Sequence, residues 1–183
     1  MARKPRRNPS FAFIVTAGLR CCDSATTTNA KGKTLEDLIT AIFQRVPGIE
    51  QVQRNVLNAF ATEEIDLAVG NADHRMGLAA FPDVILVECK NWSNAVGSQE
   101  VAYFVSRLRQ RGCACGILIA MNGVTGDSQD LTAARFEIAT ALKEKIRVIV
   151  LERQELETLR TPAHFVELLK RKTLELIAAG TTI

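Results

Sequence analysis

Glu88-Cys89-Lys90 ends the run that begins Val84-Ile85-Leu86-Val87, so an apolar segment leads directly into a carboxylate and an ammonium. Four apolar residues, mostly β-branched, predict a buried strand. Side chains alternate along a strand, which puts Glu88 and Lys90 on one face and Cys89 on the other. A core strand has no structural use for two charges at its exit, because each is costly to desolvate. A divalent-cation site working on a phosphate ester uses both. The Glu holds the cation, and the Lys positions water or steadies charge on the phosphate. A plain Glu–Lys ion pair at a fraying strand end is the competing reading of the tripeptide.

A second acid comes from the preceding strand. Glu63 to Val69 alternates cleanly, with Ile65, Leu67 and Val69 on one face and Glu64 and Asp66 on the other. Acidic residues at every second position ordinarily mark a solvated face. If this strand pairs as a hairpin with the one ending at Glu88, Asp66 and Glu88 meet with Cβ atoms ~5 Å apart, close enough to share a metal ion. Asp83 competes for the same role, but five residues of extended chain put it ~17 Å from Glu88 and on the opposite face. Asp83 therefore reads as the turn into the strand.

A third acid lies on the first clear helix, expected from about Lys33-Thr34 to Val46. Leu35, Leu38, Ile39, Ile42, Phe43 and Val46 form its apolar stripe, and Pro47-Gly48 stops it. At 100° per residue Glu36 lies beside Phe43 at the stripe's margin, whereas Asp37 faces solvent. Further elements follow in order: a loosely alternating strand over Gln51–Asn58, with Val52 and Val56 inward, then the two strands above. After them comes a helix capped by Ser98 with Val101, Phe104, Val105 and Leu108 buried. Arg107, Arg109 and Arg111 lie off that stripe, either facing a ligand or, the simpler reading, solvated, and Gln99 and Tyr103 share the face opposite it. Next are a strand from Cys115 to Met121, a helix from about Ser128 to Lys143, and a strand from Ile146 to Leu151. Glu152-Arg153-Gln154 reads as loop. A last amphipathic helix opens at Thr161-Pro162, built on Phe165, Leu168, Leu169, Leu174 and Ile177. The order predicts an α/β fold with a mixed central sheet of about five strands flanked by helices.

Composition bounds the remainder. A chain of 183 residues with 47% hydrophobic content is one globular domain, and a net charge of +3 permits a polyanionic partner without requiring one. Five cysteines without C-x-x-C spacing, and only His74 and His164 beside them, argue against structural zinc and for reduced thiols. That places the chain in the cytoplasm. No apolar run approaches the ~20 residues of a membrane span. The basic stretch Ala2–Arg7 followed by apolar Phe11–Leu19 imitates an export signal, but Arg20 ends the run and no small-x-small site follows. Residues 1–30 are expected to be an N-terminal arm, partly disordered or in dimer contact, with Ala25–Ala30 as loop, and residues 31–183 a single domain.

Glu36 on the opening helix, Asp66 in Glu-Ile-Asp and Glu88-x-Lys90 on the third strand together resemble the PD-(D/E)XK nuclease signature. Gly32-Lys33 and the Glu-Cys-Lys-Asn-Trp block with its following helix resemble the Mrr-like, type IV restriction-endonuclease-like branch. The resemblance covers roughly residues 30–155, with Ile65 standing where the name-giving proline would be. It implies a restriction-endonuclease-like core (αβββαβ plus a further αβα) and metal-dependent hydrolysis of DNA phosphodiesters by an endonuclease. Asp66, Glu88 and the backbone carbonyl of Cys89 would hold Mg²⁺, for which Mn²⁺ may substitute. Lys90 would act on water or the transition state, and Glu36 would bind a second metal or its water shell. No small-molecule cofactor is expected. A homodimer through the apolar segment 11–19 would let two copies cut two strands. The alternatives are a catalytically silent nucleic-acid- or protein-binding module on the same scaffold, and a nuclease for RNA or junctions. A self-repelling carboxylate cluster should carry at least one raised pKa without metal.

Overall fold

A computed structural model of the chain describes residues 9–126 and 133–180. Along them run α1 (Phe11–Ser24), α2 (Thr28–Phe43), β1 (Ile49–Leu57), β2 (Glu64–Asn71), β3 (Val84–Lys90), α3 (Ser98–Gln110) and β4 (Cys115–Ala120). They are followed by α4 (Ala134–Lys143), β5 (Arg147–Leu151), α5 (Arg153–Glu157) and α6 (Pro162–Ala179). The strands form one mixed sheet in the order β1-β2-β3-β4-β5, antiparallel across β1-β2-β3 and parallel across β3-β4-β5. The expected α/β architecture is thus the observed one.

The change of direction at β3 follows from the sequence between strands. Connections without a crossover helix, 58–63 and 72–83, let β1, β2 and β3 return antiparallel, whereas α3 and α4 carry the chain back over the sheet to start β4 and β5 parallel. β4 is buried at every position and reads as a continuous apolar run, because helices cover both of its faces. One apolar layer joins Leu67, Val69, Ile85, Val87 and Cys89 to α1, α2 and Phe165 of α6. The other joins Leu86, Leu118 and Val150 to α3 and α4.

Several sequence expectations need correction here. Segment 11–19, left without a place in the core by the sequence, is helix α1, and Phe11, Val15, Leu19 and Cys22 are buried against α2. Gly18 permits the approach: a Cβ there would lie 2.6 Å from Leu38 Cδ1. Those four side chains are therefore spent within the chain, whereas Phe13 on the outer side of the helix stays 64% exposed. Ala25–Ala30 is not all loop, since α2 begins at Thr28 with Thr27 as its cap, its side chain accepting from Ala30 N–H at 3.2 Å. Residue 30 lies inside this helix. Residues 153–157 form α5, closed by a capping box between Glu152 and Glu155. In α6 the stripe is Phe165, Val166, Leu168, Leu169, Lys172 and Leu176, while Leu174 and Ile177 are exposed. The basic stretch 2–7 and the expected start of α4 at 128–132 lie outside the described residues. No described helix is long and apolar enough to cross a membrane.

Candidate active site

β2 and β3 stop pairing where the charges begin. Their last paired residues at this end are Leu67 and Val87, so the next pair in register is Asp66 opposite Glu88. There the backbone ladder gives way to a side chain: Asp66 Oδ2 accepts the Cys89 N–H at 2.7 Å. In a strand the N–H and C=O of one residue point to the same neighbour. The Cys89 carbonyl therefore also points to the β2 side, whereas Lys90 O accepts from Met121 N–H on the β4 side at 3.0 Å.

Glu88 is buried at 4% exposure, a site where an unpaired carboxylate is not tolerated. Lys90 Nζ lies 2.7 Å from its Oε1, and Arg107 Nη1 from α3 donates to both oxygens at 3.0 Å. Lys90 also stands 5.4 Å from the centre of the Trp92 ring, a cation–π contact that holds the ammonium at the strand exit. Asp66 has no such cations in contact. Burial raises its carboxyl most, the Glu88 charge raises it further, and the Cys89 N–H and Lys90 pull the other way. The result is pushed up to about 6. A raised carboxylate in a metal-free cluster is what the sequence implies.

Glu36 reaches this end of the sheet from α2, but it is turned aside. Arg54 on β1 donates Nη2 to Glu36 Oε2 at 2.8 Å and Nη1 to Asp37. The half-buried Glu36 and exposed Asp37 match the helical wheel. The structure thus brings Asp66, Glu88, Lys90 and the Cys89 main chain together and leaves Glu36 nearby with a partner of its own. Among the described residues no three acidic, His or Cys side chains converge as a metal cage. The donor set is two carboxylates and one carbonyl. All are hard oxygens, which suit Mg²⁺ or Mn²⁺ rather than zinc. That donor chemistry, with Asp66 accepting only from the Cys89 N–H and touching no cation, fits a single divalent ion.

The contact that sequence reasoning does not foresee is that of Arg107 with Glu88, since solvation is the simpler reading of that arginine. Its neighbours are also paired: Arg109 with Glu144 at 2.8 Å and Arg111 with Glu63 at 3.3 Å. These arginines are not simply solvated. Arg107 and Arg111, four residues apart, lie at the margin of the buried stripe on the side that meets Glu88 and Glu63, while Gln99 and Tyr103, earlier in the same i+4 row, turn away to solvent. Tyr103 is exposed, and Gln99 Nε2 donates to its hydroxyl at 3.0 Å. Past Lys90, a shallow cleft of about 210 Å³ is lined in part by Lys31, Trp92, Asn122 and Arg153.

Comparison with known proteins bears on this arrangement. The family model described as restriction endonuclease, the Mrr catalytic domain, matches residues 27–159. A search of curated proteins finds no match. Among solved structures, the small subunit of the heterodimeric restriction endonuclease R.BspD6I is similar at 16% identity and a TM-score of 0.44. The similarity covers 93% of this chain and 80% of that one. The family match takes in α2 through α5, with Glu36, Asp66, Glu88 and Lys90 all inside it, and this chain belongs to the restriction endonuclease family, in its Mrr-like PD-(D/E)XK branch.

Proposed function

We propose that this chain is a metal-dependent endonuclease that hydrolyses DNA phosphodiester bonds, with Asp66, Glu88 and Lys90 as its catalytic residues. The observation that carries the reading is Asp66 set opposite Glu88 at the point where β2 and β3 part, with Lys90 on the same face of β3. Asp66, Glu88 and the Cys89 carbonyl would hold the ion, Mg²⁺ by preference with Mn²⁺ able to substitute. When bound, that ion would acidify a water and offset charge on the phosphate. Asp66 and Glu88 fix the position of the scissile group relative to β3. Lys90 hands a hydrogen bond to the attacking water or to a phosphate oxygen where negative charge grows. Glu36, partnered by Arg54, acts through water at the margin. DNA is the partner, a second copy of the chain would serve the other strand, and the compartment is the cytoplasm.

One observation favours a second reading, a silent binding module: both Glu88 oxygens are already engaged by Arg107 and Lys90. Plasmid cleavage with Mg²⁺, Mn²⁺ or EDTA separates the two. The nuclease reading expects cutting that needs the ion and disappears in Asp66→Ala and Lys90→Ala. DNA binding with no cutting under any metal would establish the silent module, and cutting indifferent to both substitutions would place the chemistry elsewhere.

A further inference from the structure

We propose that Arg107 is a charge latch on Glu88, released by a DNA phosphate, so that metal and duplex bind this site together rather than independently. The inference rests on the nuclease reading and adds the order in which the site is completed. Arg107 Nη1 bridges both Glu88 oxygens at 3.0 Å, and Lys90 Nζ takes Oε1 at 2.7 Å. A guanidinium so placed covers the carboxylate edge that a divalent cation would coordinate. Glu88 cannot be left bare instead, because it is buried. Whatever removes Arg107 has to leave a cation behind.

Charge balance points the same way. Asp66 and Glu88 against Lys90 and Arg107 is formally neutral when both acids are ionised. A dication added to that set meets two cations already in place, and like charges at such range repel strongly where water is scarce. A phosphate group alters the sum. It offers two non-bridging oxygens as a bidentate acceptor, which a planar guanidinium matches better than an ammonium does. Once Arg107 has moved to it, Glu88 is open on that edge.

Of the two cations on Glu88, Arg107 is the one built to leave. Lys90 is on the same strand, two residues from Glu88, and is held against Trp92. Arg107 comes from another element, α3, and its side chain keeps 25% exposure. The helix row continues from it through Tyr103, 57% exposed, to Gln99, so the face it would swing along opens to solvent. The chain would then hold metal weakly until duplex arrives. By linkage, metal must tighten duplex binding by the same factor that duplex tightens metal.

The test is Mn²⁺ binding followed by the spin resonance of the free ion, without turnover. Wild type, Arg107→Gln and Asp66→Asn are titrated alone and with a short phosphorothioate duplex that resists hydrolysis. Arg107→Gln keeps a donor for Glu88 but no charge. Without DNA it is expected to bind Mn²⁺ roughly 5- to 100-fold more tightly than wild type, the usual range of such couplings. The gain that duplex confers on Mn²⁺ affinity in wild type should shrink by the same factor in the variant. Arg107→Lys, which keeps the charge but loses the fork, serves if the Gln variant does not fold, and should show a smaller change in the same direction. Mn²⁺ binding that is lost in Asp66→Asn yet no tighter in folded Arg107 variants removes the latch and leaves the nuclease reading intact. Mn²⁺ binding indifferent to Asp66→Asn removes both.

Discussion

Two carboxylates in this chain, Glu88 buried and Glu155 half-buried, are each met by a buried or half-buried cation, and only Glu88 has a second acid opposite it. Glu155 on α5 accepts from Lys172 of α6 at 2.9 Å, while its other oxygen closes the capping box on the Glu152 N–H at 3.0 Å. Every charge there has its counterpart and the carboxylate also finishes a helix. Glu88 is as well paired, but a second carboxylate faces it across the parted strands, and that one is held up to about 6 by burial and by Glu88 itself. A purely structural ion pair satisfies its own charges. In the Glu88 cluster the two cations both sit on Glu88, and Asp66 is left as an acid with no cation in contact, although the set is neutral in sum.

The contrast breaks most sharply on activity. On the nuclease reading, Lys90→Ala or Asp66→Ala should lower plasmid cleavage by about 10³-fold or more, because the ammonium and the proposed metal-holding acid would act where charge develops. Lys172→Met should leave cleavage within about 2-fold. The reverse ranking, with Lys172→Met inactive in a folded protein, would mean that the two clusters have been assigned the wrong way round.

On stability the order inverts. Lys172→Met leaves the half-buried Glu155, 19% exposed, without its nearest cation, and removing one partner of a fully buried pair would cost about 3–5 kcal/mol. Arg171 Nη2, 3.9 Å away, offsets part of this, so urea unfolding should show a loss of about 2–3 kcal/mol. A loss below about 0.5 kcal/mol would show that the pair is solvated after all.

Asp66→Asn should stabilise the metal-free protein, and only in one pH window. The folded carboxyl has its pKa raised from 3.8 to about 6, so the fold binds that proton more tightly than the unfolded chain does. Its favourable contribution is complete below 3.8 and is lost as pH rises through about 6. Asn never ionises and keeps an oxygen for the Cys89 N–H. At neutral and higher pH the variant should therefore be the more stable by about 2 kcal/mol, taking ~1.4 kcal/mol per unit with a discount for partial exposure. The advantage should vanish in acid, and Mg²⁺ should close it by stabilising wild type alone. An advantage unchanged by pH would show that the Asp66 carboxyl is not raised.

Alternation of side chains was enough to put Glu88 and Lys90 together, and strand order was enough to set Asp66 across from Glu88. Both rest on local periodicity and on a hairpin, which are short-range properties of a chain. What the sequence concealed depends on contacts made at a distance. Arg107 meets Glu88 only because α3 crosses back between β3 and β4, and a helical wheel records distance from the stripe but not which strand lies beyond its edge. Segment 11–19 reads as an orphan because its partner is α2, whose start at Thr28 is hidden in a Thr- and Asn-rich stretch that resembles loop. Leu174 and Ile177 read as core from hydropathy alone, but α6 turns Val166, Lys172 and Leu176 inward instead.

Glu36 provides the finest test of where the cluster ends. Its charge raises Asp66 least among the causes acting there, after Glu88, and its own carboxylate is taken by Arg54. A group in that position tunes the site through water instead of holding the ion, and losses of such supporting contacts are typically 10- to 100-fold. Glu36→Gln should fall at the lower end, about 10-fold in cleavage, since Gln keeps an oxygen for Arg54. Arg54 is about a third exposed, so the substitution should cost stability by less than about 1 kcal/mol. A loss matching that of Asp66→Ala would make Glu36 a direct ligand, with Arg54 displaced when the ion binds. No loss at all would confine the machinery to Asp66, Glu88 and Lys90, and leave Glu36 with Arg54 as an ordinary tie between α2 and β1.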